Sequence, residues 1–80
     1  MDDINVKPAD EAVTYTKMTT TTRLNYRSSC DFKSGSIVGV LDENTTVNVV
    51  DNWEQIMYGH VWKKIKIGRK HYYVVCDWLE

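Results

Sequence analysis

Few residues of this 80-residue chain could do chemistry on another molecule. Cys30 and Cys76 carry thiols, and His60 and His71 carry the only imidazoles. A thiol becomes a nucleophile only with a base in hydrogen-bond reach, and no local signature pairs either cysteine with either histidine. The same four residues could in principle hold zinc, but the C-x2-C and H-x3-H spacings of such sites are missing. No carboxylate pair stands out for acid–base work, and no glycine-rich loop could cradle phosphate. The chain reads as a non-enzyme with no cofactor and no metal. What remains is binding chemistry, carried by aromatic and polar side chains.

The aromatic candidates are Phe32, Trp53, Tyr58, Trp62 and Tyr72. Trp53 and Tyr58 fall in a polar connection, where an aromatic is a better contact candidate than in a strand. Trp62 opens a strand on the face opposite Ile65 and Ile67. It serves either as a ring on which a peptide backbone or sugar packs, or as an edge residue covering a loop. Tyr72 and Tyr73 alternate, so one should be buried and the other exposed. The polar candidates are Asn25, Arg27 and Asp31. Asn25 and Arg27 share a face because they alternate with Leu24 and Tyr26. Arg27 could grip a carboxylate through its two-donor fork, although an ion pair with Asp31 or Asp77 is the favoured reading. Asp31 and Phe32 stand at a loop tip. Trp78 is expected in the core rather than at the site.

The elements that must position these residues are short and extended. Residues 1–17 hold little apolar material, with acids around Pro8, and read as a linker; 18–80 read as the domain. From Val13 the composition shifts to threonine, a strand former, so one extended stretch is expected to run to about Arg27. Residues 28–36 form a long irregular loop. An apolar run, Ile37 to Leu41, follows, and its Gly39 marks a bend or bulge. Asn44 suits a left-handed turn. Thr46 to Val50 alternates as a strand, and 51–59 form a second long loop. His60 to Ile67 alternates again, Gly68-Arg69 turns the chain, and His71 to Val75 returns. A tight turn through Asp77-Trp78-Leu79 leads into a last short strand. No 3.6-residue period of useful length appears. The fold class is all-β, a small barrel of five to seven short strands.

Composition narrows the partners. Ten basic and eleven acidic residues nearly cancel, which argues against a dedicated nucleic-acid binder. Lys63, Lys64, Lys66, Arg69 and Lys70 would make one edge locally basic, a pattern that more often keeps an edge strand from pairing. No apolar run approaches the roughly 20 residues that span a bilayer. The acidic start is not a signal peptide. An extracellular or cell-wall location would therefore require release by lysis, as for a phage-encoded protein, or cleavage from a longer chain. Two cysteines are too few for a disulfide framework, and free thiols are favoured over a Cys30–Cys76 bridge. The oligomeric state stays open.

Four elements in order resemble the bacterial SH3 (SH3b) family. They are Leu24-Asn25-Tyr26-Arg27-Ser28; Gly39-Val40-Leu41 with Asn44-Thr45, Val47 and Val49; Trp62-Lys63-Lys64-Ile65; and Tyr73-Val74 with Trp78-Leu79. The chain departs from the pattern in four places. Asn44 replaces a glycine, Tyr72 stands where a glycine is usual, the 28–36 loop lacks Gly-Pro, and the stretch before Trp62 is longer. The resemblance implies an SH3-like barrel and a non-catalytic module that targets a murein hydrolase or endolysin to peptidoglycan. The implied ligands are stem peptides, cross-bridge peptides or wall glycopolymers. It also favours Tyr73 as the inward member of its pair. The alternative is an SH3-like adaptor that binds a protein or peptide partner.

Overall fold

The computed structural model describes residues 13–80. Seven strands form one antiparallel sheet: β1 (Tyr15–Thr19), β2 (Leu24–Arg27), β3 (Ile37–Leu41), β4 (Thr46–Val50), β5 (Gln55–Met57), β6 (His60–Ile67) and β7 (Lys70–Val75). Their spatial order is β1-β4-β6-β7-β2-β3, with β5 hydrogen-bonded to β6. Two single 3-10 turns, Ser34–Ser36 and Cys76–Trp78, are the only helical pieces among the described residues. The fold class is all-β, and the architecture fits a small SH3-like barrel.

The period-2 pattern of β6 and β7 builds two cores, one on each face of the pair. On one face Ile65 and Val74 pack with Leu24, Leu41, Val47, Val49 and Leu79. On the other, Trp62 and Val75 pack with Cys30, and Trp53 and Tyr73 lean on them. Trp62, Ile65 and Val74 are each 0% exposed, so β6 is covered on both sides despite its three lysines. Full burial of an aliphatic side chain of this size contributes about 1.5–3 kcal/mol. Neither Tyr72 nor Tyr73 is the single inward member. Both are half-buried, Tyr72 against the aliphatic core and Tyr73 against the Trp62 core.

Turn chemistry sets the register. Asn44 adopts φ 64°, the left-handed turn expected of it. The β5–β6 hairpin closes through Tyr58-Gly59, with φ of 56° and 74°, between the facing pair Met57 and His60. Positive φ at both central positions is the type I′ hairpin, which favours Asn-Gly. The β6–β7 hairpin uses Gly68, φ 63°, between the facing pair Ile67 and Lys70. Gly39 faces Tyr26 across β2–β3, beside a register shift that marks the expected irregularity. A Cβ at Gly39 would sit 2.5 Å from the Tyr26 hydroxyl oxygen.

Several expectations need correction. The threonine run is not one strand: it breaks at Thr20, which is 0% exposed. The Thr20 hydroxyl donates to the Asp42 carbonyl (2.6 Å) and accepts from the Thr45 N–H (2.9 Å). Its backbone also bonds Thr45 and Asn44, so Thr20 pins the β3–β4 turn instead of continuing β1. The domain begins before residue 18, because β1 starts at Tyr15 and pairs with β4. Thr14 and Thr16 donate to the two oxygens of Asp51 at 2.5 and 2.6 Å, holding that strand to the sheet. The rest of the expected linker, 1–12, lies outside the described residues. The 51–59 stretch contains β5 rather than being loop throughout. No closing strand forms; a 3-10 turn leads to Leu79, bridged to Thr20, and Glu80 exchanges two 2.9 Å backbone bonds with Thr19.

Candidate functional site

The 28–36 loop is built by its own short polar side chains. Asp31 accepts from the Ser29 hydroxyl (2.6 Å) and from the Lys33 N–H (3.0 Å), while the Ser28 N–H bonds the Ser36 carbonyl (2.8 Å). Those donors, Ser29 first, hold the Asp31 carboxyl below its ordinary range. Arg27 braces the loop from beneath: Nη1 donates to the Lys33 carbonyl (3.1 Å) and to the Ser36 hydroxyl (3.0 Å). With the loop stitched at Asp31, the next side chain, Phe32, projects outward and is 49% exposed.

Phe32 is the centre of an aromatic cluster. Ring centroids lie 5.1 Å away at Trp62, 5.5 Å at His60 and 5.9 Å at Tyr58, and the Arg27 guanidinium carbon stands 5.3 Å from the ring. Trp62 is the buried base of the cluster and donates its indole N–H to the Met57 carbonyl at 3.0 Å, fixing the β5 hairpin. His60 Nδ1 meets Asp77 Oδ2 at 3.1 Å. Tyr58 is 61% exposed, held outward by its left-handed backbone. A bulky residue in that conformation stores strain, and such strain concentrates at working sites.

Two clefts flank the Phe32 ridge. One, about 320 Å³, lies between Ser28–Asp31 of the loop and Gln55, Met57 and Tyr58 of the hairpin, with Tyr73. The other, about 200 Å³, is lined by Arg23, Leu24, Asn25, Arg27, Phe32, Val75 and Trp78. A third hollow, about 370 Å³, lies elsewhere, against Lys17, Leu41, Asn48 and Lys66, and holds none of the expected site residues.

The expected site residues divide accordingly. Asn25, Arg27 and Phe32 line the smaller cleft, and Asp31 and Tyr58 the larger. Trp53 is half-buried, its ring 5.3 Å from Tyr73 at the edge of the Trp62 core. Two candidates fall away. Trp62 is fully buried and has no surface to offer a ligand, because the Phe32 and Met57 segments cover it. Tyr72 points to the opposite face, edge-on to Tyr26 at 5.0 Å. The expected ion pair of Arg27 with Asp31 or Asp77 does not form, since loop serines engage Asp31 and His60 engages Asp77. Trp78, expected inside, is 47% exposed, because the 3-10 turn rotates it outward while Leu79 takes the inner place. Arg23, His60 and Trp78 were missed as site residues; only long-range pairing brings them beside Phe32.

Other chemistry is subdued. Cys30 and Cys76 are free, and neither hydrogen-bonds a histidine among the described residues. Burial, then the nearby Asp31 charge, pushes the Cys30 thiol up, which disfavours thiolate. His71 rests on Tyr15 (Nε2 to Oη 3.4 Å), and burial followed by Lys64 and Lys66 lowers its pKa. The basic run is split by strand alternation: Lys63 pairs with Glu54 at 3.1 Å, and Lys66 lies over the Tyr15 ring on the other face. No group of three or more metal-ligating side chains occurs among the described residues. Comparison with family models, characterised proteins and solved structures returns no match.

Proposed function

We propose that this chain is a non-catalytic binding module that recognises the peptides of bacterial cell-wall peptidoglycan, targeting an attached or partner murein hydrolase. The observation that carries the binding reading is the Phe32 ridge. An exposed aromatic sits on a buried indole, braced by an arginine and bordered by a cleft on each side. Aromatics fixed by a rigid sheet lose little entropy on contact, which makes them effective anchors for an extended ligand. The two clefts on either side of the ridge suit alternate residues of such a ligand. The choice of wall peptide rests on the four-element resemblance to the SH3b family.

A fluorescent fusion mixed with purified sacculi from several Gram-positive species tests the reading. Pelleting with a subset of walls, lost in Phe32→Ala, is the expected result. A cooperatively folded protein that pellets with none sinks the wall reading in favour of a protein partner.

A further inference from the structure

Arg27 is 8% exposed, yet among the described residues its side-chain hydrogen bonds, to the Lys33 carbonyl and the Ser36 hydroxyl, both leave from Nη1. Nε and Nη2 have no acceptor among the described residues, and no carboxylate there lies within ion-pair distance. A guanidinium removed from water needs acceptors to replace the lost hydration. The Phe32 face offsets part of that cost but accepts no N–H bond in the plane of the fork. The neighbouring acids cannot supply it, because Asp31 is held by Ser29 and Lys33, and Asp77 by His60. Half-satisfied among the described residues, this cation lines the cleft of about 200 Å³. Arg23 adds a second cation at the exposed rim, Asn25 adds an amide, and Trp78 and Phe32 add two half-exposed rings.

We infer that this cleft is a carboxylate-recognition subsite, which takes the terminal or side-chain carboxylate of a short peptide on the free Nε–Nη2 edge of Arg27. The inference rests on the binding-module reading and states the chemistry of its ligand. One guanidinium edge presents two parallel donors, the match for a planar carboxylate. Arg23 then steers and screens the charge, Asn25 bonds the adjoining peptide group, and Phe32 and Trp78 flank its apolar part. A phosphate is the poorer fit, since its further oxygens would have only Arg23 as a cation.

The test is a titration of the full chain, followed by NMR at the Arg27 Nε–H and Trp78 indole N–H. The probes are N-acetyl-alanyl-alanine, its C-terminal amide and inorganic phosphate. Saturable shifts with the acid are expected, with affinity at least about tenfold above that of the amide. Arg27→Lys should lose the bidentate contact, also about tenfold, and Arg23→Gln should cost a few-fold and lessen the salt dependence. Because Arg27 also braces the 28–36 loop, the exposed Arg23→Gln and Trp78→Ala variants keep the inference testable if Arg27→Lys fails to fold. Equal binding of acid and amide, tighter binding of phosphate, or no saturable shift overturns it. Sacculus pelleting is scored separately. Walls that pellet the wild type and both rim variants equally overturn the subsite and leave the wall reading standing. Acid binding without pelleting does the reverse.

Discussion

The two faces of the β6–β7 pair come from one hairpin, yet they are built differently. The Ile65 face is aliphatic, closed and made of residues from β2, β3, β4 and the chain end, all meeting in one cluster. The Trp62 face is small, aromatic and roofed by a loop, and its cover is Phe32, half in water. Packing of the first kind keeps its apolar surface closed. The second gives up apolar burial to present rings, a guanidinium and two clefts. On the proposed reading, stability and recognition are separated by strand parity: neighbours in sequence, such as Tyr72 and Tyr73, lie on different faces.

The separation can be broken from either side. The largest effect is expected for Ile65→Ala, which leaves a cavity in the closed core and should cost about 3–4 kcal/mol in denaturant unfolding. The folded fraction should still bind with unchanged affinity; a parallel loss of affinity would show that the faces are coupled. Phe32→Ala should reverse the pattern, cutting binding by about 2 kcal/mol in a pelleting or titration assay. Its cost in the same unfolding experiment should stay below about 1 kcal/mol, given its exposure. Tyr58→Asn sharpens the contrast further. Asparagine tolerates the left-handed turn, so thermal unfolding should show a gain of up to about 1 kcal/mol. Affinity should fall with the loss of the ring beside Phe32.

The smallest effects concern pH. Asp31 and Asp51 have lowered folded pKa values, set by the hydroxyls of Ser29 and Thr14 first. Their contributions are fully present above the ordinary carboxylate range and are lost as pH falls through the folded values. Asp31→Asn should flatten the acid limb of a stability–pH curve and loosen the 28–36 loop, whereas Asp51→Asn should loosen β1 only. His71 acts in a different window. Its pKa is lowered by burial and then by Lys64 and Lys66, so the unfolded chain binds its proton first. Stability should therefore decline as pH drops through the ordinary histidine range, and then level off. The decline should vanish in His71→Gln.

Alternation made much of this legible in sequence. The opposed faces of Trp62 and Ile65, the turns at Asn44 and Gly68, and the irregular 28–36 loop all follow from local pattern. Long-range contacts decided what stayed hidden. Thr20 looks like any strand threonine until the β3–β4 turn arrives to use its hydroxyl. Trp78 reads as core until the 3-10 turn shows that Leu79 fills the inner place. Trp62 reads equally as a groove aromatic or as an edge residue covering a loop, and the Phe32 loop folding over it makes it buried core instead. β5 was masked because Gln55-Ile56-Met57 is too short to show a period, and Tyr58-Gly59 is an unusual spelling of its hairpin turn.

The close approach of Gly39 to Tyr26 carries a consequence for how this sequence can vary. A methyl at position 39 and a phenol at position 26 compete for the same space, so the two residues are one unit of inheritance. Gly39→Ala alone should destabilise by about 1–3 kcal/mol through overpacking. Tyr26→Leu alone loses the edge contact with Tyr72. Together they should cost less than the sum, a positive coupling that a double-mutant cycle would read directly. Lineages that change one of the pair are then expected to change the other.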